Sequence, residues 1–328
     1  MLRLIVSGAF FLLLCLSAQT ALAATVFVIE SYHAGYDWDT RYLQVLRDRL
    51  TPQHTLVTFE LDTKRLPEEQ HEARAQLAFA RYLELKPDLV VLADDNACAL
   101  LGKRLAETGT PIVYMGINAN PRKYGLHSRR DTTGVIERPL IKRAISYLSR
   151  MEGLSLSKVL LLFDNSTTAQ IIFGEIMRYM PSENIMGVGL ETRMIASWKD
   201  WQESILQAKS ENFDVIIIGL YQTLIGDDGN VANDVQVLEW TIAHAQLPCF
   251  AVWNFSVGPG KAIGGLLHSA EEQGDSAADL VLSLLQYGES PVHPVMAEQG
   301  QLILSRSGMA RWGLKVPRVY ESEVNWVP

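Results

Sequence analysis

Short apolar runs rich in β-branched residues alternate with longer amphipathic runs, and this alternation constrains the fold more than any other feature. The first set has four strand-like runs separated by three runs with helical spacing: strands at 25–31, 54–62, 88–94 and 111–117, and helices at 40–50, 68–85 and 96–107. Strands that are apolar along nearly their whole length are typical of sheets buried on both faces. The set therefore predicts a parallel sheet covered by helices on both sides.

The same pattern restarts in the second half of the chain. A predicted helix at 138–151 leads into a second set: strands at 158–164, 184–192, 214–220 and 248–254, and helices at 167–179, 197–209 and 233–245. A further helix at 270–287 and an apolar segment at 301–314 follow, and they are too short to form a third lobe. The sequence therefore predicts an α/β protein with two doubly wound, Rossmann-like lobes.

Three weakly patterned stretches predict where the chain crosses between the lobes, at about 118–134, 254–262 and 289–299. Three crossings make a hinge, and a hinge between two open α/β sheets makes a cleft. We therefore expect two lobes that are each built from two segments: 24–118 with about 262–290, and about 134–254 with 296–328. Ligands of such sheets bind beyond the carboxyl ends of the strands, which face the cleft.

The first residues have the three parts of a secretory signal peptide. Arg3 gives a basic start, residues 4–16 are almost wholly apolar, and Ala21-Leu22-Ala23 is a small-x-small cleavage pattern. The apolar stretch is shorter than a typical membrane anchor. We expect residues 1–23 to be removed and the mature protein to be exported to the periplasm.

Composition and motifs argue against several function classes. The formal net charge is −8 and the sequence has no basic tract, so nucleic acid and anionic membrane surfaces are poor partners. The histidines are scattered without a pair at metal-binding spacing, and neither a phosphate loop nor a Gly-x-Ser-x-Gly motif occurs. We therefore expect no metal, no cofactor and no catalytic constellation, and we do not expect an enzyme.

Two cysteines, Cys98 and Cys249, remain after removal of the signal peptide. They could form a disulfide bond in an oxidising compartment, or they could be two buried apolar thiols. They fall in different predicted lobes, so a bond between them would lock parts that the hinge is expected to move. The sequence alone leaves both alternatives open.

Polar and aromatic residues follow nearly every predicted strand, at the edge where the cleft is expected. They include the candidate ligand-binding residues Tyr32, Tyr36, Asp94, Asp95, Asn96, Asn118, Asp164, Thr167, Tyr221 and Trp253. Aromatic surfaces with a few fixed polar groups suit a small polar ligand that has an apolar face. The Asn, Asp and Thr residues are also ordinary helix N-caps, and the aromatic residues can pack in the core instead.

The pair Asp94 and Asp95 is harder to explain by capping, because one side chain suffices to cap a helix. Two carboxylates favour an ammonium group or a ring of hydroxyls over a phosphate. Helix N-termini that face the same cleft can bind a carboxylate. The sequence therefore favours an amino acid or a related small amine as the ligand, with a sugar as the alternative.

Four stretches resemble, in matching order, the ABC-transporter substrate-binding protein family, which has the type I periplasmic binding fold: SYHAGYDWDTRYLQVL, DLVVLADDNACALL, PIVYMGINAN followed by TGVIE, and LILSRSGMARWGLKVP. A similar branch of proteins supplies the sensing domains of bacterial histidine kinases and diguanylate cyclases. In that branch a strand that ends in Ser/Ala-Asp-Asp-Asn-Ala is a recurring feature. The resemblance extends over essentially the whole chain after residue 23.

The resemblance implies two Rossmann-like lobes joined by three crossings, with the ligand held between them. By position it assigns to the cleft Tyr32, Asp94, Asp95, Asn96, Asn118, Thr167 and Tyr221. It implies an exported solute-binding protein that closes on its ligand and presents it to the membrane permease of an ABC transporter. The alternative is a stand-alone ligand sensor that regulates a separate membrane histidine kinase or diguanylate cyclase.

Overall fold

The computed structural model describes residues 23–127, 129–289, 293–297 and 300–328. The predicted signal peptide at 1–23 lies outside these ranges except for its last residue. Within the described ranges, no helix is both long and apolar enough to cross a membrane.

Strands and helices alternate through most of the described chain. The strands are β1 (Thr25–Glu30), β2 (Thr55–Glu60), β3 (Leu89–Ala93), β4 (Ile112–Ile117), β5 (Thr132–Ile136), β6 (Lys158–Asp164), β7 (Ser182–Ile185), β8 (Val188–Ile195), β9 (Val215–Ile218), β10 (Cys249–Ala251), β11 (Gly264–Leu267), β12 (Val295–Met296), β13 (Gln301–Ser305) and β14 (Val324–Val327). The helices are α1 (Asp37–Leu50), α2 (His71–Leu85), α3 (Asp94–Ala106), α4 (Ile141–Leu148), α5 (Thr167–Ile171), α6 (Trp198–Gln207), α7 (Asp234–His244), α8 (Ala270–Tyr287) and α9 (Arg306–Trp312).

The first lobe is built on a six-stranded sheet in which all pairs are parallel, with the order β12-β5-β4-β3-β1-β2. Successive side chains of a strand point to opposite faces. Val26 and Val28 therefore face the side covered by α1 and α8, whereas Phe27 and Ile29 face α2 and α3. Burial on both faces explains why the strands of this lobe are almost continuously apolar.

The second lobe is built on a five-stranded sheet with the order β10-β9-β6-β8-β7, and only its β7–β8 pair is antiparallel among the described pairs. The prediction of one strand over 184–192 is wrong here, because the chain reverses at Met186 and Gly187. Both residues have positive φ, 53° and 92°. Positive φ at both central residues is what a tight hairpin turn requires, so this segment forms two strands.

The last part of the chain forms a small third sheet, β11-β13-β14, that the sequence did not predict. β11 pairs antiparallel to β13, and β13 pairs parallel to β14. Just before β11, the Ile263 N–H donates to the Cys249 carbonyl of β10 at 2.8 Å. The third sheet therefore lies beside the edge of the second lobe. The prediction of an α/β protein with two lobes is confirmed.

Two crossings between the lobes differ in position from the sequence prediction. The first was expected at 118–134. However, β5 begins inside this stretch, extends beyond it and pairs with β4 in the first sheet, so the chain leaves the first lobe after Ile136. The strand was overlooked because TTGVI is short and only partly apolar. The third was expected at 289–299, but β12 still belongs to the first sheet. α8 also packs on α1 of the first lobe.

Both cysteines that follow the signal peptide are free and buried. Cys98 lies in α3 of the first lobe and Cys249 in β10 of the second. Burial raises the pKa of both thiols, that of Cys249 to about 12. The alternative of two buried apolar thiols is therefore the correct one for this structure.

Candidate functional site

The two lobes meet at Tyr32, which follows β1 of the first lobe. The Tyr32 hydroxyl donates to Asp94 Oδ1 at 3.2 Å and lies 3.1 Å from Thr168 Oγ1. Asp94 begins α3 of the first lobe, whereas Thr168 belongs to α5 of the second. All three side chains are buried. The hydroxyl therefore joins the lobes at the carboxyl ends of the strands.

Asp94 is held in an unusual backbone conformation, with a φ of 73°. Its Oδ2 accepts a hydrogen bond from the Trp38 indole N–H at 3.0 Å. Burial, followed by the charge of Asp95, raises the pKa of Asp94 to about 7, and the hydrogen bonds from Tyr32 and Trp38 oppose the shift. Few residues other than glycine adopt a left-handed conformation, although aspartate and asparagine do so more readily than most, and such conformations cluster at functional sites.

Asp95 is fully buried, and both of its carboxylate oxygens already have partners. Oδ2 accepts from the Asn118 N–H at 2.9 Å, and Oδ1 accepts from the Ala119 N–H at 3.0 Å and from the Tyr124 hydroxyl at 2.8 Å. Burial raises the pKa of Asp95, and these hydrogen bonds oppose the shift. The side chain fixes the loop after β4 against the start of α3.

Lys64 follows β2 and places a buried cation near Asp94. Its Nζ lies 4.5 Å from the centre of the Tyr32 ring and 4.9 Å from that of the Tyr36 ring. Among the described residues, no carboxylate oxygen lies within 4.0 Å of this nitrogen. Burial lowers the pKa of Lys64, and the charges of nearby aspartates oppose the shift. An ammonium group held mainly by aromatic rings keeps its capacity to pair with a carboxylate.

Two further acids lie close to this point in the first lobe. Asp39, in the first turn of α1, is fully buried, and burial raises its pKa well above the usual range, reinforced by the charges of Glu30 and Asp94. Burial also raises the pKa of Glu30 to about 7. In the described part of the chain, no group of three acidic, histidine or cysteine side chains is arranged to hold a metal ion.

A row of aromatic rings runs from the first lobe to the second. Tyr32 and Tyr36 make an edge-to-face contact with ring centres 5.1 Å apart, and Tyr36 lies 5.6 Å from Phe255. Phe255 is nearly parallel to Trp253, with an interplanar angle of 10° at 6.2 Å. Pairs at these separations stabilise one another beyond their buried area. The first-lobe end of the row lies beside Asp94, which accepts from the Tyr32 hydroxyl, and beside Lys64, whose Nζ lies over the Tyr32 and Tyr36 rings.

Glu137 links the ends of the two large sheets. It follows β5, and its Oε1 accepts from the indole N–H of Trp253, after β10, at 2.6 Å. Its Oε2 accepts from Asn118 Nδ2 at 3.3 Å, while Asn118 Oδ1 has no partner in the described part of the chain. Burial, followed by the charge of Asp94, raises the pKa of Glu137 to about 8. The hydrogen bond to Trp253 therefore connects the first crossing, which follows β5, to the second crossing, which follows β10.

Two of the predicted residues bond to partners within their own lobe, and neither caps a helix, because the N-cap positions of α3 and α5 are Ala93 and Ser166. Asn96 Nδ2 donates to Thr63 Oγ1 at 2.8 Å within the first lobe. Asp164 Oδ1 accepts from the Ser166 hydroxyl at 2.6 Å, and its Oδ2 accepts from the Thr223 N–H at 3.1 Å. These bonds shape the loops at the strand ends.

The remaining two predicted residues of the second lobe differ in exposure. Tyr221 is buried, and its hydroxyl accepts from Ser256 Oγ at 3.3 Å. Thr167 is exposed, whereas its neighbour Thr168 is buried and reaches Tyr32. The predicted residue, Thr167, therefore lies one position before the threonine that contacts the first lobe.

Sequence reasoning missed Lys64, Glu137 and Thr168. Lys64 follows β2, so a search of the residues after every strand, including the second, would have found it. Glu137 follows β5, which was overlooked as a strand. The sequence does not distinguish Thr168 from Thr167. Which of two adjacent threonines at the start of a helix faces the other lobe depends on how the helix is oriented in the structure.

Comparisons with known proteins support the fold. No family model matches the sequence, and no curated protein matches it. A conserved domain protein from Vibrio cholerae shares 16% identity at a TM-score of 0.67, covering 93% of this chain and 100% of that one. An ABC domain in complex with L-Trp from Streptococcus pneumoniae shares 12% identity at 0.64, covering 93% and 100%. A ligand-free, open substrate-binding protein with adhesive properties from Clostridium difficile shares 11% at 0.63, covering 93% and 99%.

These structures are two-lobe type I periplasmic-binding domains, and the chain has that fold. The expectation from the sequence resemblance is thereby confirmed at the level of the fold.

Proposed function

We propose that the protein is an exported solute-binding protein that closes on a small polar ligand, an amino acid or a related amine, and presents it to an ABC transporter. The observation that carries this proposal is the Tyr32 hydroxyl, which contacts Asp94 in its own lobe and Thr168 in the other. Such a contact at the strand ends supports a ligand site that is complete only when the lobes are together. The fold agrees with this role but hosts other functions too.

The charges beside this contact match the two ends of an amino acid. We assign the ligand's ammonium group to Asp94, which lies at the contact between the lobes and whose oxygens each accept one hydrogen bond. Asp95 accepts three hydrogen bonds, all from the segment after β4. The ligand's carboxylate is assigned to the buried ammonium of Lys64. Aromatic rings on the same side, including Tyr36, offer an apolar surface for the ligand's side chain. This complementarity favours an amino acid over a sugar.

Hinge closure is the mechanism that this arrangement supports. Tyr32, Asp94 and Lys64 are shielded from solvent, so a ligand reaches them only when the lobes separate. A ligand that contacts both lobes binds the closed state better than the open one, and this difference in affinity shifts the population toward closure. The membrane partner then recognises the closed form.

A stand-alone sensor is the second candidate, and one sequence observation favours it. The strand end Ala93-Asp94-Asp95-Asn96-Ala97 has the form that recurs in sensing domains of histidine kinases and diguanylate cyclases. The binding chemistry would be the same in both cases. A neighbouring permease and ATPase gene pair would favour transport, whereas a neighbouring kinase or cyclase gene would favour sensing.

Thermal unfolding in the presence of candidate ligands tests the proposal. The purified protein is unfolded and refolded to remove bound molecules, and then heated with amino acids, amines, sugars and nucleosides. A specific ligand at about 100 times its Kd stabilises the folded state by about 2.7 kcal/mol. We expect amino acids or amines to raise the midpoint in the native protein and in the exposed-turn control Asp227→Asn, but not in Asp94→Asn. A panel without effect, or an equal response of Asp94→Asn, would overturn the proposal.

A further inference from the structure

A cationic cavity lies outside the cleft, at the edge of the first sheet. Its volume is about 540 Å³, and its lining includes four arginines and two histidines: Arg122, Arg129, Arg130, Arg138, His127 and His293. Among the described residues that line it there is no aspartate or glutamate. In a chain whose formal net charge is −8, this concentration of cations needs an explanation.

Two of the arginines are already neutralised. Arg129 pairs with Asp131 and donates to the carbonyl oxygens of Ala106 and Gly109 at 2.9 and 2.7 Å. Arg130 lies 3.6 Å from a carboxylate oxygen of Glu289. Neither guanidinium is therefore the main group available to a ligand.

The other two arginines keep donors for a ligand. Within the described ranges the Arg122 side chain has no hydrogen-bond or ion-pair partner. Arg138 is half-buried, and its Nη1 donates to main-chain carbonyls, including that of Glu137 at 2.7 Å. These bonds orient the Arg138 guanidinium, and its Nη2 and Nε have no partner among the described residues. A fixed guanidinium with free donors is suited to bidentate recognition of an anion.

Two hydroxyls in the cavity lining point to a ligand independently of the charges. Tyr114 is fully buried, and its hydroxyl has no hydrogen-bond partner among the described residues. Thr132 is half-buried, but its Oγ1 is buried and likewise has no partner there. Buried polar atoms are nearly always paired, so two orphaned hydroxyls in one lining leave a place for an acceptor. An anion that binds the arginines supplies that acceptor.

We propose that this cavity binds a small dianion, a phosphate monoester or a dicarboxylate, through Arg122 and Arg138, with hydroxyl donors from Tyr114 and Thr132. The volume lies in the range of small-molecule sites and exceeds what a single inorganic ion needs. The acidic groups of the ligand accept hydrogen bonds from the arginine guanidinium groups, and the rest of the ligand fills the cavity. This site is separate from the proposed ligand cleft and does not depend on it.

Calorimetric titration of the purified protein with inorganic phosphate and with malonate, at constant ionic strength, tests the proposal. We expect saturable binding of at least one of them, and the tighter one identifies the class of anion. Arg122→Gln removes an unpartnered side chain and should weaken binding about tenfold or more, the loss of one charge-assisted contact. Tyr114→Phe removes an unpaired hydroxyl, so the fold should persist while binding weakens. Arg318→Gln, an exposed arginine outside the cavity, should leave affinity unchanged.

Three results would overturn the anion site. The first is no saturable binding of either anion to the native protein. The second is an equal loss of affinity in Arg318→Gln, which would reflect overall charge and not a site. The third is loss of phosphate or malonate binding in Asp94→Asn, which would place the anion in the cleft. Anion binding that survives in Asp94→Asn separates this site from the proposed solute-binding function.

Discussion

The hydroxyl of Tyr32 in the first lobe lies 3.1 Å from Thr168 Oγ1 in the second lobe, and both side chains are buried. The same hydroxyl donates to Asp94, so one phenol connects the proposed ammonium site to the facing lobe. In the proposed hinge motion, opening separates Tyr32 from Thr168 but leaves its contact with Asp94, because Asp94 belongs to the same lobe as Tyr32. We therefore expect the Tyr32–Thr168 pair only in the closed state of that proposal.

Replacement of Tyr32 by phenylalanine tests whether this bond stabilises closure. The substitution keeps the ring under Lys64 but removes both hydrogen bonds of the hydroxyl, each of which contributes about 1 kcal/mol. We expect ligand affinity to fall roughly tenfold, measured by calorimetry, because part of the bonding of the closed state is lost. Tyr147→Phe is the control, since the buried Tyr147 hydroxyl has no partner among the residues that the structure describes and lies away from the cleft, beside Tyr320. Equal affinities of the two variants would contradict the role of Tyr32 in closure.

The two adjacent aspartates should respond differently to substitution. Asp94→Asn keeps the left-handed backbone, which asparagine tolerates, but removes the charge that we assign to the ligand's ammonium group. We expect roughly a hundredfold or larger loss of affinity, because the ligand's ammonium group is left without a counter-charge. The melting temperature should stay within a few degrees of the native value. Retained affinity would show that another group binds the ligand.

Asp95→Ala should instead lower the stability of the folded protein. It leaves three donors unpaired at once, the N–H groups of Asn118 and Ala119 and the hydroxyl of Tyr124. We expect the free energy of unfolding to fall by about 3 kcal/mol or more, measured by denaturant titration. An unchanged stability would mean that the loop after β4 is held by other contacts.

Lys64→Met tests the proposed carboxylate site. The ammonium is buried, with no carboxylate within 4.0 Å among the described residues, so an apolar replacement of similar length should raise the stability of the ligand-free protein. Affinity for an amino acid should fall about tenfold or more, while affinity for the corresponding decarboxylated amine should change little. The ratio of these two affinities is the measurement. A parallel loss for both ligands would assign Lys64 a structural role only.

Much of the fold can be predicted from the alternation of apolar and amphipathic runs in the sequence, because strands buried on both faces of a parallel sheet must be apolar throughout. Short elements with mixed composition are not predicted in this way: the sequence pattern predicts a crossing where β5 lies and a single strand where β7 and β8 lie. The reversal at Met186 and Gly187 depends on two positive φ angles, which the letters alone do not reveal.

The candidate site could be predicted from the sequence only where residues that are adjacent in the chain carry its chemistry. Asp94 stood out because two carboxylates follow a buried strand. The different tasks of Asp94 and Asp95 depend on which way each side chain points, and this is set by tertiary packing. The cationic cavity was missed for a related reason: net charge is a property of the whole chain, whereas the arginines from Arg122 to Arg138 are gathered by the loop after β4 and the end of β5.

Glu137→Gln should change how stability depends on pH. The folded-state pKa of Glu137 is raised to about 8 from an ordinary value of 4.5, so the folded protein keeps a proton that the unfolded chain loses. The stabilisation from this group is complete below pH 4.5 and is lost as the pH rises through about 8. Glutamine keeps an oxygen for Trp253 Nε1 and cannot ionise. Its amide can donate to Asn118 Oδ1, which has no partner within the described ranges, once the Asn118 amide turns over.

The measurement is the free energy of unfolding at several pH values between 5 and 8. The fall in stability with rising pH should be less steep in Glu137→Gln than in the native protein, by up to about 1.4 kcal/mol per pH unit, the contribution of one proton. A residual slope of the same sign should remain, because burial also raises the pKa values of Asp94 and Glu30 to about 7. Glu239→Gln, at an exposed position of α7, should keep the native slope. Identical slopes for native protein and Glu137→Gln would mean that Glu137 is ionised in the folded state, and that its bond to Trp253 is a charged link between the two sheets.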